Sequence, residues 1–372
     1  MNKRFEALDG FRGLCALSVV VFHMHLIGSI TELSFFRGSS IFVELFFVLS
    51  GFVLAHGYGF KENLEFKSFV KSRFFRIYPL HFFMFLIFVF LEVGKFGANK
   101  FGVLAFNNEP FTNTFAISEM APNLLLIQSW TPFTNHSSFN YPSWSISIEF
   151  YLYIFLFLTI VMFGKSRKVI WLLIPIAMFS LMVIESNILV SAVTKGLSCF
   201  FGGAFTYVIY KKASHYKISY FLASVLEFSL VVSVILVVQS EFEYRQITAK
   251  LLFYLLVFSF AFESGFLSDA LKLKPFQLAG KLSYSIYMTH AAILFCLVST
   301  MMVLGKLSGI EMTPMIDEVR YLTSGNHIVN NMIVILILGV VISISNLTYK
   351  YVEQKGQALG KRHKTNMRQL NI

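Results

Sequence analysis

Long apolar runs, separated by short polar segments that carry most of the charge, dominate the pattern along this chain. Crossing a bilayer as a helix takes about 20 predominantly apolar residues. Ten stretches qualify: 11–30, 41–60, 77–93, 144–163, 169–186, 188–210, 218–238, 251–268, 283–304 and 329–350. Lipid offers no hydrogen-bond partner to backbone amides, so spans of this kind fold as helices. The pattern therefore predicts an all-α membrane protein, a bundle of about ten transmembrane helices. The first run has no small-residue cleavage site after it and reads as a retained helix rather than a signal peptide.

Composition agrees with that pattern. Of 372 residues, 56% are hydrophobic and 14% charged, with 44 Phe and 16 Tyr, where a soluble protein carries roughly 25% charged residues. Net charge is +11, but the basic residues sit in clusters between apolar runs and form no continuous face for nucleic acid. With the N-terminus placed in the cytoplasm, the inside segments hold 23 Lys and Arg and the outside segments 7. By the positive-inside rule both termini are then cytoplasmic, as in a multi-pass protein of a bacterial inner membrane. Residues 94–143 are long and weakly charged, with prolines at 110, 122, 132 and 142. They are expected to form an outside lid or a partly re-entrant loop. Cys15, Cys199 and Cys296 lie in apolar runs without metal spacing and read as small buried hydrophobes. Residues 1–355 form the expected membrane domain, and 356–372 a basic cytoplasmic tail.

Ionisable groups within spans are functional candidates. Arg12 and His23 are eleven residues apart, three full helical turns to within about 20°, and thus share a face about 16 Å apart along the axis; His25 points elsewhere. Arg73 and Arg76 lie at i, i+3 where the third span begins, a place suited to gripping an anion but also to plain topological anchoring. Ser145, Glu149 and Tyr153 follow an i, i+4, i+8 stripe on the fourth span. Glu149 lies at a depth similar to His23 and is a natural partner for it. Ser283, Tyr287 and His290 cluster on the ninth span, where polar side chains also serve simply to tie helices together. Lys195 should be paired, with Glu44 or Glu149 as its partner. Glu353 reads as a helix-end anchor, and Glu227 has no evident role.

Taken in order, these segments resemble the acyltransferase-3 family of integral membrane acyltransferases. The likeness rests on Leu8-Asp9-Gly10-Phe11-Arg12-Gly13 with His23, Phe47-Val48-Leu49-Ser50-Gly51-Phe52, Arg73 to Pro79, Trp144 to Glu149, Gly280 to His290, and Tyr349 to Glu353. Two departures stand out. The family often has Arg near Lys195, and a proline where Gln354-Lys355 follows the final Glu. The resemblance implies ten core spans and transfer of an acyl group, by family habit acetyl, from cytoplasmic acyl-CoA to a hydroxyl of an envelope glycan such as lipopolysaccharide O-antigen or exopolysaccharide. It also implies that Arg12, His23, Arg73 and Arg76 are functional. Residue reading and resemblance together suggest that Arg12, Arg73 and Arg76 hold the phosphates of acyl-CoA. His23 then acts as general base, oriented by Glu149, with an acyl-His intermediate as a permitted variant. Ser145, Tyr287, His290 and Lys195 support the site, and no metal or bound cofactor is needed. The rival reading is a transporter or flippase for a phosphate-linked glycolipid. A transporter should show an inverted repeat, and none is evident.

The topology is testable with reporter fusions after Gly97 and Gly164, which should report opposite sides of the membrane. Reporters on the same side would break the predicted arrangement.

Overall fold

The computed structural model describes residues 3–101, 106 and 108–360. Its helices, in chain order, are α1 (Glu6–Phe22), α2 (Ser34–Gly38), α3 (Phe42–Tyr58), α4 (Phe66–Lys100), α5 (Met120–Leu124), α6 (Ser143–Phe163) and α7 (Arg167–Val183). They continue with α8 (Ser191–Ala213), α9 (Tyr220–Gln239), α10 (Arg245–Phe260), α11 (Phe266–Leu271), α12 (Lys274–Ser308) and α13 (His327–Thr348). Among the described residues the only sheet is a hairpin of β1 (Met315–Ile316) and β2 (Val319–Arg320). The fold is that of an all-α membrane protein. Each of the ten expected spans overlaps a helix. Seven helical stretches are long and apolar enough to cross a membrane, with Ser143–Val183 counted once. The helices α1 and α10, of 17 and 16 residues, fall short of that length. Most of the expected basic tail, 361–372, lies outside the described residues.

Several boundaries differ from the hydropathy reading for local reasons. Helix α1 ends at Phe22, not near residue 30. The chain after it leaves the helix to pair with the segment before α13: the Ile27 amide donates to the Leu322 carbonyl and the Leu322 amide to that of His25. Helix α4 begins at Phe66, so Arg73 and Arg76 sit about two turns inside it, not at its N-terminus.

The chain divides into two compact units. The first comprises residues 1–19, 34–70 and 151–283, and in it α3 packs against α8. Close approach there depends on small residues, because a Cβ at Gly51 or Gly203 would run into the Phe200 or Val48 carbonyl. Two buried carboxylates in this unit, Glu44 and Glu227, have protein partners in place of water. Glu44 pairs with Lys250 at 2.8 Å, both side chains almost fully buried. This corrects the expectation for Lys195, which forms no ion pair among the described residues; Lys250 on α10 occupies the carboxylate expected for it. Glu227 has a plain structural role. It accepts from the Gly265 and Ser268 amides and the Ser268 hydroxyl, capping the first turn of α11. Near the start of the chain, Lys3 reaches Glu263, the Tyr210 hydroxyl and the Ala261 carbonyl.

The second unit comprises 20–33, 71–150 and 284–372. Lys95, within the segment 94–143 expected to be a loop, is instead a residue of α4 and pairs with Glu92 at 2.8 Å, both buried. Residues 106 and 108–142 form a packed cap rather than an open loop. The His81 ring contacts the Asn123 carbonyl, the Asn123 amide donates to the Ser138 hydroxyl, and the Ser147 hydroxyl donates to the Leu126 carbonyl. Buried Leu126 and Phe139 take positive φ, 58° and 54°, a conformation held only by such surrounding contacts.

A buried ion pair is most costly when one member is lost. Glu44→Gln and Lys250→Met should each destabilise the protein by about 3–5 kcal/mol, and the double variant by clearly less than either single change. Melting of detergent-purified protein reads this. Single variants as stable as wild type would contradict the pairing.

Candidate functional site

The functional candidates fall into the two units, and each unit brings some of them together. In the first, Arg12 is held by its own neighbourhood. Its guanidinium donates to the Ser283 hydroxyl at 2.9 Å and the Gly280 carbonyl at 3.0 Å, and lies 3.4 Å from Asp9. This geometry exists because α1 and the start of α12 meet through glycines: a Cβ on Gly13 would strike the Gly280 backbone, and one on Gly280 the Asp9 carbonyl. Two expected residues, Arg12 and Ser283, are thus in direct contact. Lys195 belongs to this unit, half-buried.

The second unit assembles the larger group. His23 is the first residue beyond α1, and its ring Nδ1 lies 3.1 Å from Nε2 of His290, a fully buried residue of α12. The other nitrogen of His290 contacts the Ile286 carbonyl at 3.3 Å. A carbonyl can only accept, so Nδ1 of His290 carries the proton there, and in a neutral ring its Nε2 is the acceptor. In a neutral pair His23 then donates from Nδ1. This assignment comes from the hydrogen-bond network. Tyr141, from the end of the cap, packs its ring on His23 with centroids 4.6 Å apart. Burial, reinforced by the nearby Tyr287 hydroxyl, pushes the Tyr141 phenol up, so it stays an O–H donor. The Ser145 hydroxyl donates to that of Tyr287 at 3.0 Å, and the Asn140 amide donates to the Met288 carbonyl. Glu149, expected to orient His23, lies on α6 in this same unit. The group on Nδ1 of His23 is His290.

Also in this unit, Arg76 forms an ion pair with Glu353 at 2.6 Å, and the carboxylate is fully buried. Glu353 further accepts from Ser285 and Gln357. It is therefore more than a helix-end anchor. A single π-helical turn, Tyr349–Glu353, follows α13, and Gly356 packs on Pro79, which brings this carboxylate to Arg76. Arg73 donates to the Ser72 hydroxyl. Among the described residues no group of three or more His, Cys, Asp or Glu side chains is placed to hold a metal ion.

The order of these motifs is what a family comparison reads. The family model described as "Acyltransferase domain" matches residues 5–349, a span that includes Arg12, His23, Arg73, Arg76, Glu149 and His290. The chain belongs to the acyltransferase-3 family. Among similar proteins, "Acyltransferase MdmB" of Streptomyces mycarofaciens is 35% identical over 167 residues, 41% of this chain and 38% of that protein. "Protein 2 in picA locus" of Rhizobium radiobacter is 45% identical over 85 residues, 21% of this chain and 41% of that protein. The matches therefore span about two fifths of each relative's length. No solved structure matches. Within this acyltransferase-3 protein, sequence reasoning found both members of the histidine pair but missed Tyr141 and Asn140. They stand in an irregular segment where no periodicity points to a face. Their one signal is position, just before Pro142 and the start of α6.

Proposed function

We propose that this membrane acyltransferase moves an acyl group, acetyl in the simplest case, from acyl-CoA on the cytoplasmic side to a hydroxyl of an envelope glycan or glycolipid in a bacterial inner membrane. The observation that carries the proposal is the His23–His290 contact, which supports Nδ1 of His23 as the donor in a neutral pair and Nε2 as the nitrogen assigned to the chemistry. A nitrogen so poised takes the proton from the acceptor hydroxyl as that oxygen attacks the thioester carbonyl. Thiolate departs and is protonated as CoA–SH. If instead Nε2 attacks first, an acyl-His forms and the acceptor hydroxyl displaces it, with the same overall balance. Tyr141, whose ring packs at a tilt against His23, is assigned to donate to the carbonyl oxygen as negative charge develops there. Ser145 and Tyr287 share one hydrogen bond beside it, and Glu149 sets the local charge.

Arg12, Arg73 and Arg76 are assigned to the phosphates of CoA, as the family resemblance suggests. Arg12 is already braced by Asp9, Ser283 and Gly280, and Arg76 by Glu353, so both guanidiniums are pre-oriented before any ligand arrives. Lys195, without an ion-pair partner among the described residues, is assigned a supporting role only. The two named relatives are compatible with the acyl-transfer half of the proposal: one bears the name acyltransferase. A flippase for a phosphate-linked glycolipid would use the basic residues too, but would have no use for a base of fixed tautomer.

The two ends of this assignment fail differently. Arg12→Ala should weaken acyl-CoA binding by about 1.5–3 kcal/mol, appearing mainly as raised KM. His23→Ala should leave CoA affinity nearly intact and lower kcat by about 10²–10⁴-fold. Calorimetric CoA binding paired with acetyl-CoA turnover separates them. Loss of CoA binding in His23→Ala with none in Arg12→Ala would reverse the roles. Normal binding and turnover in both would remove the enzymatic reading of these residues.

A further inference from the structure

A cationic cluster in the first unit shares no residue with the assignments above. Phe60, just past the end of α3, is surrounded by three cations. Lys211 Nζ stands 3.8 Å from the ring centroid, Arg167 Cζ 5.3 Å and Lys168 Nζ 5.6 Å. By the triangle inequality no two of them are more than about 11 Å apart, close to the roughly 8 Å over which physiological salt screens charge. Lys61, next in the chain, lies over Tyr58 at 4.7 Å. None of these four cations belongs to an ion pair among the described residues, although Glu62 and Glu65 follow within a few positions. The Arg167 Nε atom is buried without a hydrogen-bond partner.

Positive charge at a helix end is ordinary in a membrane protein and by itself serves topology. Convergence is a different matter. Topology is satisfied by charges spread along the loops, and repulsion favours spreading them. Here, three like charges from two helices, the start of α7 and the end of α8, are drawn to one aromatic ring with no carboxylate to neutralise them. The ring's negative face offsets part of the repulsion, and the rest calls for an anion. The adjoining surface says which kind. Directly beyond Arg167 and Lys168, α7 presents Val169, Leu172 and Leu173 as exposed apolar residues, a surface that acyl chains cover in a bilayer.

We infer that Phe60, Arg167, Lys168 and Lys211 form a binding site for the phosphate headgroup of an anionic phospholipid whose chains lie along α7. Basic pockets between helices at a membrane surface hold such headgroups. The site is independent of the acyl-transfer assignment, since it shares no residue with it.

Native mass spectrometry of detergent-purified, full-length protein given equal amounts of phosphatidylglycerol and phosphatidylcholine of matched chains tests this. Wild type should retain phosphatidylglycerol with a preference of about tenfold or more. Lys211→Gln, an exposed position where folding is safe, should lower that preference about fivefold. Lys217→Gln, which removes a charge outside the cluster, should leave it unchanged. Equal retention of the two lipids would overturn the site, as would equal losses in the two variants, which would mean diffuse surface charge. If inorganic phosphate at millimolar concentration displaces phosphatidylglycerol and raises the melting temperature as well as the lipid does, the site takes a free anion and the lipid assignment is wrong.

Discussion

A polar group at membrane depth has no water to fall back on, and the interior of this protein is organised around that constraint. Every buried charge described above answers to a particular partner. Glu44 has Lys250, Glu92 has Lys95, Glu353 has Arg76, and Glu227 has the amides of a short helix. These partnerships fix which helices meet in each unit, because a carboxylate displaced by one turn would face lipid-like surroundings uncompensated. Small residues then let the backbones close in, as at Gly51 with Gly203 and at Gly13 with Gly280.

The same constraint shapes the candidate chemistry. His290 is fully buried and its two nitrogens are used by a carbonyl and by His23, so the proton on the pair has one arrangement. His23 itself is only half-buried, where α1 has ended and the chain turns away. The end of α1 at Phe22 sets the ring's position, because a helix continuing to residue 30 would have carried it on within a regular turn. The cap supplies Tyr141 from the opposite direction in sequence, through backbone at Phe139 that only dense packing sustains.

Much of this was legible in the residues. Apolar runs located the seven helical stretches long enough to cross a membrane, because lipid exposure writes a strong signal over about 20 residues. Arg12, His23, Ser283 and His290 were visible as polar groups at helical spacing, and the structure pairs them, Arg12 with Ser283 and His23 with His290. The partner of Glu44 was not. Lys250 looked like a loop charge because it precedes the apolar run of its helix, while α10 in fact starts at Arg245 and buries it. The reach of Glu353 to Arg76 was hidden as well, since it depends on a π-helical turn that leaves no trace in hydropathy. Nor does spacing reveal Tyr141, whose place is set by long-range packing of the cap.

The account rests most heavily on His290 holding His23 in one tautomer, and two variants of His290 probe that with the fold kept as a control. Gln places an acceptor atom near the position of the imidazole Nε2, whereas Leu fills similar space without one. Turnover of acetyl-CoA by purified protein, with melting measured alongside, is the direct reading. His290→Gln should keep activity within about tenfold of wild type, and His290→Leu should lose about 10²-fold or more while remaining folded. A folded His290→Leu protein with wild-type turnover would contradict the account.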